Sequence, residues 1–182
     1  MLLTPNYKYV HAKFKLNGIH YSNENLLELA HNFINEGASY QQAIGSFLID
    51  WFNEYTFIEL KTSGSTGKPK DIKMSKQAMV NSAIATGAFF NLKPTNTALH
   101  CLPTQYIAGK MMLVRAMVLG LEIDLIEPTS KLIFNEQKPY HFCAMVPLQL
   151  ENTITKTSHI KTIIVGGTSV SNNLKNKIQK TI

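Results

Sequence analysis

The chain has 182 residues, 45% of them hydrophobic, and a formal net charge of +6. That is enough apolar content for one domain, or for one domain and a fragment of another, and no apolar run reaches the eighteen residues that a membrane span needs. The eighteen basic residues are scattered, with no dense Lys/Arg run and no aromatic-basic repeat, so nucleic acid is not an expected partner.

The start, Met1-Leu2-Leu3-Thr4-Pro5-Asn6, lacks the charged beginning and apolar centre of a secretory leader. Lys13 to Leu16 alternates in polarity and runs into Asn17-Gly18, a strong hairpin-turn signal. Ser22 is placed to cap a helix carrying Leu26, Leu27, Leu29, Ala30, Phe33 and Ile34, closed by Gly37. Ser39-Tyr40-Gln41-Gln42 reads as a capping box for a second helix with Ile44, Phe47, Leu48 and Trp51 on its apolar side. A strand follows over residues 56–61, then a glycine-rich loop, then a short returning strand at Asp71–Met74.

Ser75 can cap a helix from Lys76 to about Phe90. Thr97–Leu102 reads as a strand stopped by Pro103, and a helix runs from about Tyr106 to Leu119 with Gly120 just past its end. Strands at Glu122–Glu127, His141–Val146 and Ile160–Val165 follow, the last leading into Gly166-Gly167. Ser171 opens a final helix. Strands alternating with helices predict an α/β fold with a mostly parallel sheet flanked by helices, preceded by a short N-terminal hairpin. No closing strand follows the last helix, so an open sheet edge is expected, one that invites pairing with a second copy in a homo-oligomer. Cys101 and Cys143 fall in apolar strands and read as reduced core thiols of a cytoplasmic protein.

The stretch "TSGSTGKPK", Thr62 to Lys70, carries the chemistry. Gly64 and Gly67 let the backbone approach a ligand closely. Thr62, Ser63, Ser65 and Thr66 supply hydroxyl donors, and Lys68 and Lys70 supply ammonium groups, a set that matches the many anionic oxygens of a triphosphate. It is not the helix-opening nucleotide loop G-x-x-x-x-G-K-[ST], because Pro69 stands where Ser or Thr would bind magnesium and a strand-like run follows. The loop is therefore expected to join two strands and fold over the phosphates as a flap.

These nine residues resemble the phosphate-binding signature of the adenylate-forming superfamily, with Asp71 where that family commonly has Gly. "LPTQYIAGKMMLVRAMVLGLEI" (Leu102 to Ile123) resembles the family's L-P-L-F-H-x-x-G segment lining the acyl pocket, with Gln105-Tyr106 in place of Phe-His. "AMVPLQL" (Ala144 to Leu150) is similar to its V-P-x-x-L turn, and "IIVGGTSVS" (Ile163 to Ser171) to its Gly-Gly strand beside the adenine. Order and spacing most resemble the o-succinylbenzoate–CoA ligases. The resemblance covers residues 56–182, part of an AMP-binding domain. The hairpin and helices of residues 1–55 are expected to pack on it without a motif of their own.

The resemblance implies an ATP-dependent acid–CoA ligase using ATP, Mg2+ and coenzyme A with a small-molecule carboxylate, o-succinylbenzoate or another aromatic or short-chain acid; the alternative reading is a non-catalytic nucleotide-binding module. It implies that Thr62 to Lys68 and Lys70 hold the phosphates, that Gly166, Gly167 and Thr168 lie beside the adenine and acyl groups, and that Tyr106, Lys110 and Arg115 face the acid. Arg115, the only arginine, keeps two readings: a head snorkelling from a half-buried helix, or a cation facing an anion. Lys175, Lys177 and Lys180 read as a solvated helix face, and no metal-spaced cluster stands out. The family's Tyr-Gly-x-Thr-Glu motif, ribose-binding strand and small C-terminal domain have no counterpart in the 182 residues, which are expected to be inactive alone.

Overall fold

The computed structural model describes residues 4–62 and 70–181. A two-strand hairpin, β1 (Lys15–Leu16) and β2 (Ile19–His20), turns through Asn17 and Gly18, both with positive φ (50° and 81°), the mirror-image turn that matches strand twist. Two helices follow, α1 (Asn23–Glu36) and α2 (Ser39–Phe52). Ser22 caps α1 by accepting from the Asn25 amide at 3.3 Å. The capping box expected at Ser39 sits one residue earlier: Gln41 accepts from the Ala38 amide at 2.9 Å, and alanine has no oxygen with which to return the bond. Gly45 brings α2 close to α1, since a Cβ there would fall 2.5 Å from the Ala30 carbonyl oxygen.

The next pair, β3 (Phe57–Thr62) and β4 (Lys70–Ser75), forms a separate antiparallel ribbon in register from Phe57↔Ser75 to Thr62↔Lys70. Ser75 ends β4 and also caps α3 (Lys76–Phe89), accepting from the Ala78 amide at 3.3 Å. The remaining elements are β5 (Thr97–His100), α4 (Ile107–Leu119), β6 (Glu122–Leu125), β7 (Phe142–Met145), α5 (Pro147–Thr153), β8 (Ile163–Val165) and α6 (Asn172–Thr181). Gly120 closes α4 in the left-handed conformation at φ 71°.

The main sheet has the order β2-β1-β6-β5-β7-β8, parallel except for the β1–β2 pair. Alternation along its strands feeds two cores, because successive side chains leave opposite faces. Ala98, Phe142 and Ala144 pack with α1–α4, whereas Leu99, Cys143 and Met145 pack with residues of α5, α6 and the 132–140 segment. Covering both faces suits a parallel sheet. The N-terminal hairpin also does more than precede the core: β1 joins the sheet beside β6, fixed by Lys15–Glu122 at 2.9 Å and by Asn17 Oδ1 accepting from the Leu125 amide at 2.8 Å.

Candidate active site

The connection β5–α4–β6 leaves β5 toward one edge of the sheet, while β7–α5–β8 leaves the adjacent β7 toward the other. The crevice between the carboxyl ends of β5 and β7 is thus the topological switch point, where open α/β sheets bind ligands. Cys101–Gln105 extends from β5 into it, Val146-Pro147 from β7, and Gly166-Gly167-Thr168 from β8, next to β7.

Each segment is held by a local device. Gly109, in the first turn of α4, allows the helix to lie against the β5 extension: a Cβ would meet the Pro103 carbonyl oxygen at 2.4 Å. His100 and Thr104, both buried, bond through Nε2 and Oγ1 at 3.0 Å across the start of that extension. Burial pushes the His100 imidazole down to about 4, so it is neutral near pH 7, and among the described residues its Nδ1 has no partner. Gln149 ties the two strand ends together. Its Nε2 donates to the carbonyls of Cys101 (2.7 Å) and Thr129 (3.1 Å), and its Oε1 accepts from the Val146 amide (3.1 Å). Gly167, at φ 87°, turns the chain after β8, and among the described residues a Cβ on Gly166 would meet nothing within 4 Å, which leaves backbone open to a ligand there.

Ser63, Gly64, Ser65, Thr66, Gly67 and Lys68 lie outside the described residues, as do the side chains of Thr62 and Lys70. What the described residues give is the stem: β3 and β4 pair as the expected two-strand carrier, so residues 63–69 span its paired ends. The base of that stem is clamped. The Lys76 amide donates to the Thr56 carbonyl at 2.9 Å, and Lys76 Nζ donates to Asn53 Oδ1 at 2.9 Å and to the Asn53 carbonyl at 3.2 Å.

The three acid-facing candidates separate. Tyr106 opens α4 and is 66% exposed. Lys110 is buried, its ammonium 5.0 Å from the centre of the Phe47 ring, and burial lowers its pKa while Asp50 works in the opposite direction. It lines a cleft of about 450 Å³ with Ser46, Phe47 and Asp50 of α2 and with Thr104 and Gln105. Arg115 turns instead to α3 and the sheet. Its Nε donates to Thr86 Oγ1 at 3.3 Å, its guanidinium lies 5.9 Å from the Phe142 ring centre, and burial lowers its pKa.

Sequence reading missed His100–Thr104, Gln149, Lys76 and the contribution of α2. Gln149 had a signal, because Gln at the third position after Val146, with Pro147 opening the helix, is half a capping box. The Lys76–Asn53 clamp had none, since its partners belong to different elements.

Residues 60–182 match the family model for AMP-binding enzymes. The chain belongs to that family. Its fold is that of the N-terminal domain of adenylate-forming enzymes. The chain is 35% identical to an acyl-CoA synthetase (AMP-forming)/AMP-acid ligase II-like protein from Dyadobacter fermentans, with a TM-score of 0.69 over 83% of this chain and 45% of that one. AMP-bound o-succinylbenzoate coenzyme A synthetase (MenE) from Bacillus subtilis aligns at 19% identity and TM-score 0.57, over 68% of this chain and 27% of that one. ATP-bound MatB from Rhodopseudomonas palustris aligns at 16% and 0.56, over 68% and 26%. These last two likenesses are of fold. No curated protein matches the chain. The chain thus spans less than half the length of these solved relatives.

Among the described residues no group of three or more His, Cys, Asp or Glu side chains is placed to hold a metal ion, and no helix is long and apolar enough to cross a membrane.

Proposed function

We propose that the chain forms the nucleotide- and acid-binding core of a cytoplasmic, ATP-dependent acid–CoA ligase, with o-succinylbenzoate as the acid. The observation that carries this reading is the stem β3–β4, which presents "TSGSTGKPK" between paired strands in a member of the AMP-binding enzyme family. The D. fermentans protein, described as an acyl-CoA synthetase, supports the ligase class; the resemblance of the sequence motifs to o-succinylbenzoate–CoA ligases supports the acid.

In that reaction a carboxylate oxygen attacks the α-phosphorus of ATP and pyrophosphate leaves. The thiolate of coenzyme A then attacks the acyl carbon and AMP leaves. The first step brings an anion against a polyanion, so charge neutralisation and positioning supply most of the acceleration. Lys68, Lys70 and the hydroxyls of Thr62 to Thr66 are the groups proposed to hold the β- and γ-phosphates. Gly166, Gly167 and Thr168 are proposed to flank the nucleotide, and Tyr106, Lys110 and Arg115 the acid. Magnesium would arrive on the phosphate oxygens, and no step is assigned to it. The 182 residues alone are proposed to bind ATP without completing turnover.

The test is acid-dependent exchange of pyrophosphate into ATP, measured on a ligase that contains this chain. Stimulation by o-succinylbenzoate well above that by octanoate is expected. Equal stimulation by octanoate would remove the substrate assignment, and no stimulation by any carboxylate would remove the ligase.

A further inference from the structure

Cys101 and Cys143 are the chain's only cysteines. They are 42 residues apart in sequence, yet their sulfurs stand 3.7 Å apart. Leu99 pairs with Cys143 across β5 and β7, and Cys101 lies two residues beyond Leu99, so both thiols leave the same face of the sheet. Both are fully buried, in the cluster that holds Leu99, Met145 and Leu150. Packing explains a buried thiol taken singly, but it does not call for a sulfur–sulfur contact. The hydrogen bonds give the pair an order. Cys101 Sγ donates to the Ala144 carbonyl at 3.2 Å, which leaves the Cys143 thiol to donate to Cys101 Sγ. That contact first, and burial second, push the Cys143 thiol well above its ordinary range. Cys143 is thus the partner that holds its proton, and Cys101 the one that attacks.

We propose that hydrogen peroxide closes Cys101 and Cys143 into a reversible disulfide, a redox latch that ties the β5 extension to β7 at the switch point and stops the site from working. Cys101 gives up its proton and its sulfur attacks one peroxide oxygen. The O–O bond breaks, leaving a sulfenic acid on Cys101 and one water. The Cys143 sulfur then attacks the Cys101 sulfur; the S–S bond forms, the S–O bond breaks, and the hydroxyl leaves with the Cys143 proton as a second water. Two thiols lose two electrons, and one peroxide gains them. A disulfide needs its sulfurs about 2.05 Å apart, so the pair must close from 3.7 Å. β7 is held in the ladder by β5 on one side and β8 on the other, whereas β5 leaves the ladder after His100. The Cys101 backbone is therefore the part that moves. Its carbonyl accepts from Gln149 Nε2 at 2.7 Å, and Thr104 farther along bonds His100, so closure is felt through Cys101–Gln105. The same freedom admits the oxidant, which reaches the sulfurs when the Gln149 bond opens and the extension lifts. A pair reduced at rest and oxidised transiently is the usual form of a disulfide in a reducing compartment.

With two cysteines in the chain, a thiol count reads the pair directly. The reduced chain is exposed to hydrogen peroxide in native buffer, then alkylated with N-ethylmaleimide in denaturant. Both thiols should disappear together, with a mass lower by two hydrogens and a crosslinked Cys101–Cys143 peptide, at a rate independent of protein concentration and reversed by dithiothreitol. Cys143→Ala removes the resolving sulfur, so Cys101 sulfenic acid trapped by dimedone should rise at least about tenfold over wild type, because the neighbouring thiol otherwise consumes it as an intramolecular reactant. The crosslinked peptide decides the matter in wild type even where a variant folds poorly. Native thiols that survive a peroxide dose sufficient to oxidise the urea-unfolded chain, oxygen added to either cysteine in place of the disulfide, or a bond between two chains overturns the inference. Only the last measurement rests on the ligase reading. In a ligase containing this chain, acid-dependent pyrophosphate exchange should fall about tenfold or more on oxidation, the scale of a displaced positioning segment, and return with dithiothreitol, while Cys101→Ala keeps its own untreated rate. A disulfide that leaves exchange unchanged removes the latch and keeps the ligase. Exchange with no acid at all removes the ligase, and the crosslink still decides the pair.

Discussion

Lys76 Nζ lies 2.9 Å from Asn53 Oδ1, which joins the first turn of α3 to the end of α2 beneath the β3–β4 stem. Lys76 is fully buried, and its ammonium also sits 5.3 Å from the Tyr7 ring centre. Among the described residues no carboxylate forms an ion pair with it, so its charge is held by carbonyl and ring dipoles, with Asp50 and Glu54 acting from farther off.

Replacing Lys76 by Ala leaves a cavity and two Asn53 acceptors without their donor. A loss of roughly 2–4 kcal/mol is expected, to be measured by urea denaturation at pH 7. Lys76→Met refills most of the volume and should recover part of that loss. Burial lowers the folded-state pKa of Lys76 below the usual 10.5, so the unfolded chain binds more protons as pH climbs toward 10.5. Wild type should gain stability relative to Lys76→Met across that alkaline window. A difference that is flat or shrinks with rising pH would contradict the assignment.

His100 predicts the opposite end of the pH scale. Its folded pKa of about 4 lies below the unfolded value near 6.5. The stability it supports is complete above about pH 6.5 and is lost as pH falls toward 4, by roughly 3 kcal/mol over the window. His100→Gln should flatten that part of the stability profile, whatever its effect at pH 7. An identical slope in both proteins between pH 6.5 and 4 would show that the imidazole is not the group responsible.

Gln149→Leu removes three hydrogen bonds at the switch point and leaves the buried Cys101 carbonyl without its donor. An expected cost of about 2–4 kcal/mol follows from the unsatisfied groups. Gly109→Ala should cost at least about 2 kcal/mol, because its Cβ meets backbone rather than a movable side chain. Both variants should disturb acid use more than nucleotide binding, since both act on the Cys101–Gln105 segment, Gln149 through the Cys101 carbonyl and Gly109 through Pro103. Chemical denaturation gives the first quantity, and the ratio of the two KM changes in a ligase containing the chain gives the second.

Legibility in the sequence followed the range of the interaction. Ser22, Ser75 and Ser171 act on amides three residues away, and all three helix starts agree with the expectation. Strand cores were legible from apolar runs, but the β5 run continues past its ladder: Cys101 and Leu102 stay buried after pairing stops at His100, and β8 begins three residues later than its apolar run. The partnership of β1 with β6 spans more than a hundred residues, and no local pattern encodes it. Lys110 and Arg115 share α4 but stand five residues apart, about 140° around a helix, so their separation onto α2 and α3 was present in the numbering.

The central claim is that "TSGSTGKPK" grips a nucleotide's phosphates, and calorimetric titration of ATP into the chain and into its Lys68→Ala variant tests it most directly. The variant is expected to bind about tenfold or more weakly, as the loss of one charge-assisted phosphate contact implies, with a melting temperature close to wild type. Saturable ATP binding by the wild-type chain, weakened in this way, is the result the account requires. No ATP binding by the wild type, or equal affinity in the two proteins, would contradict it.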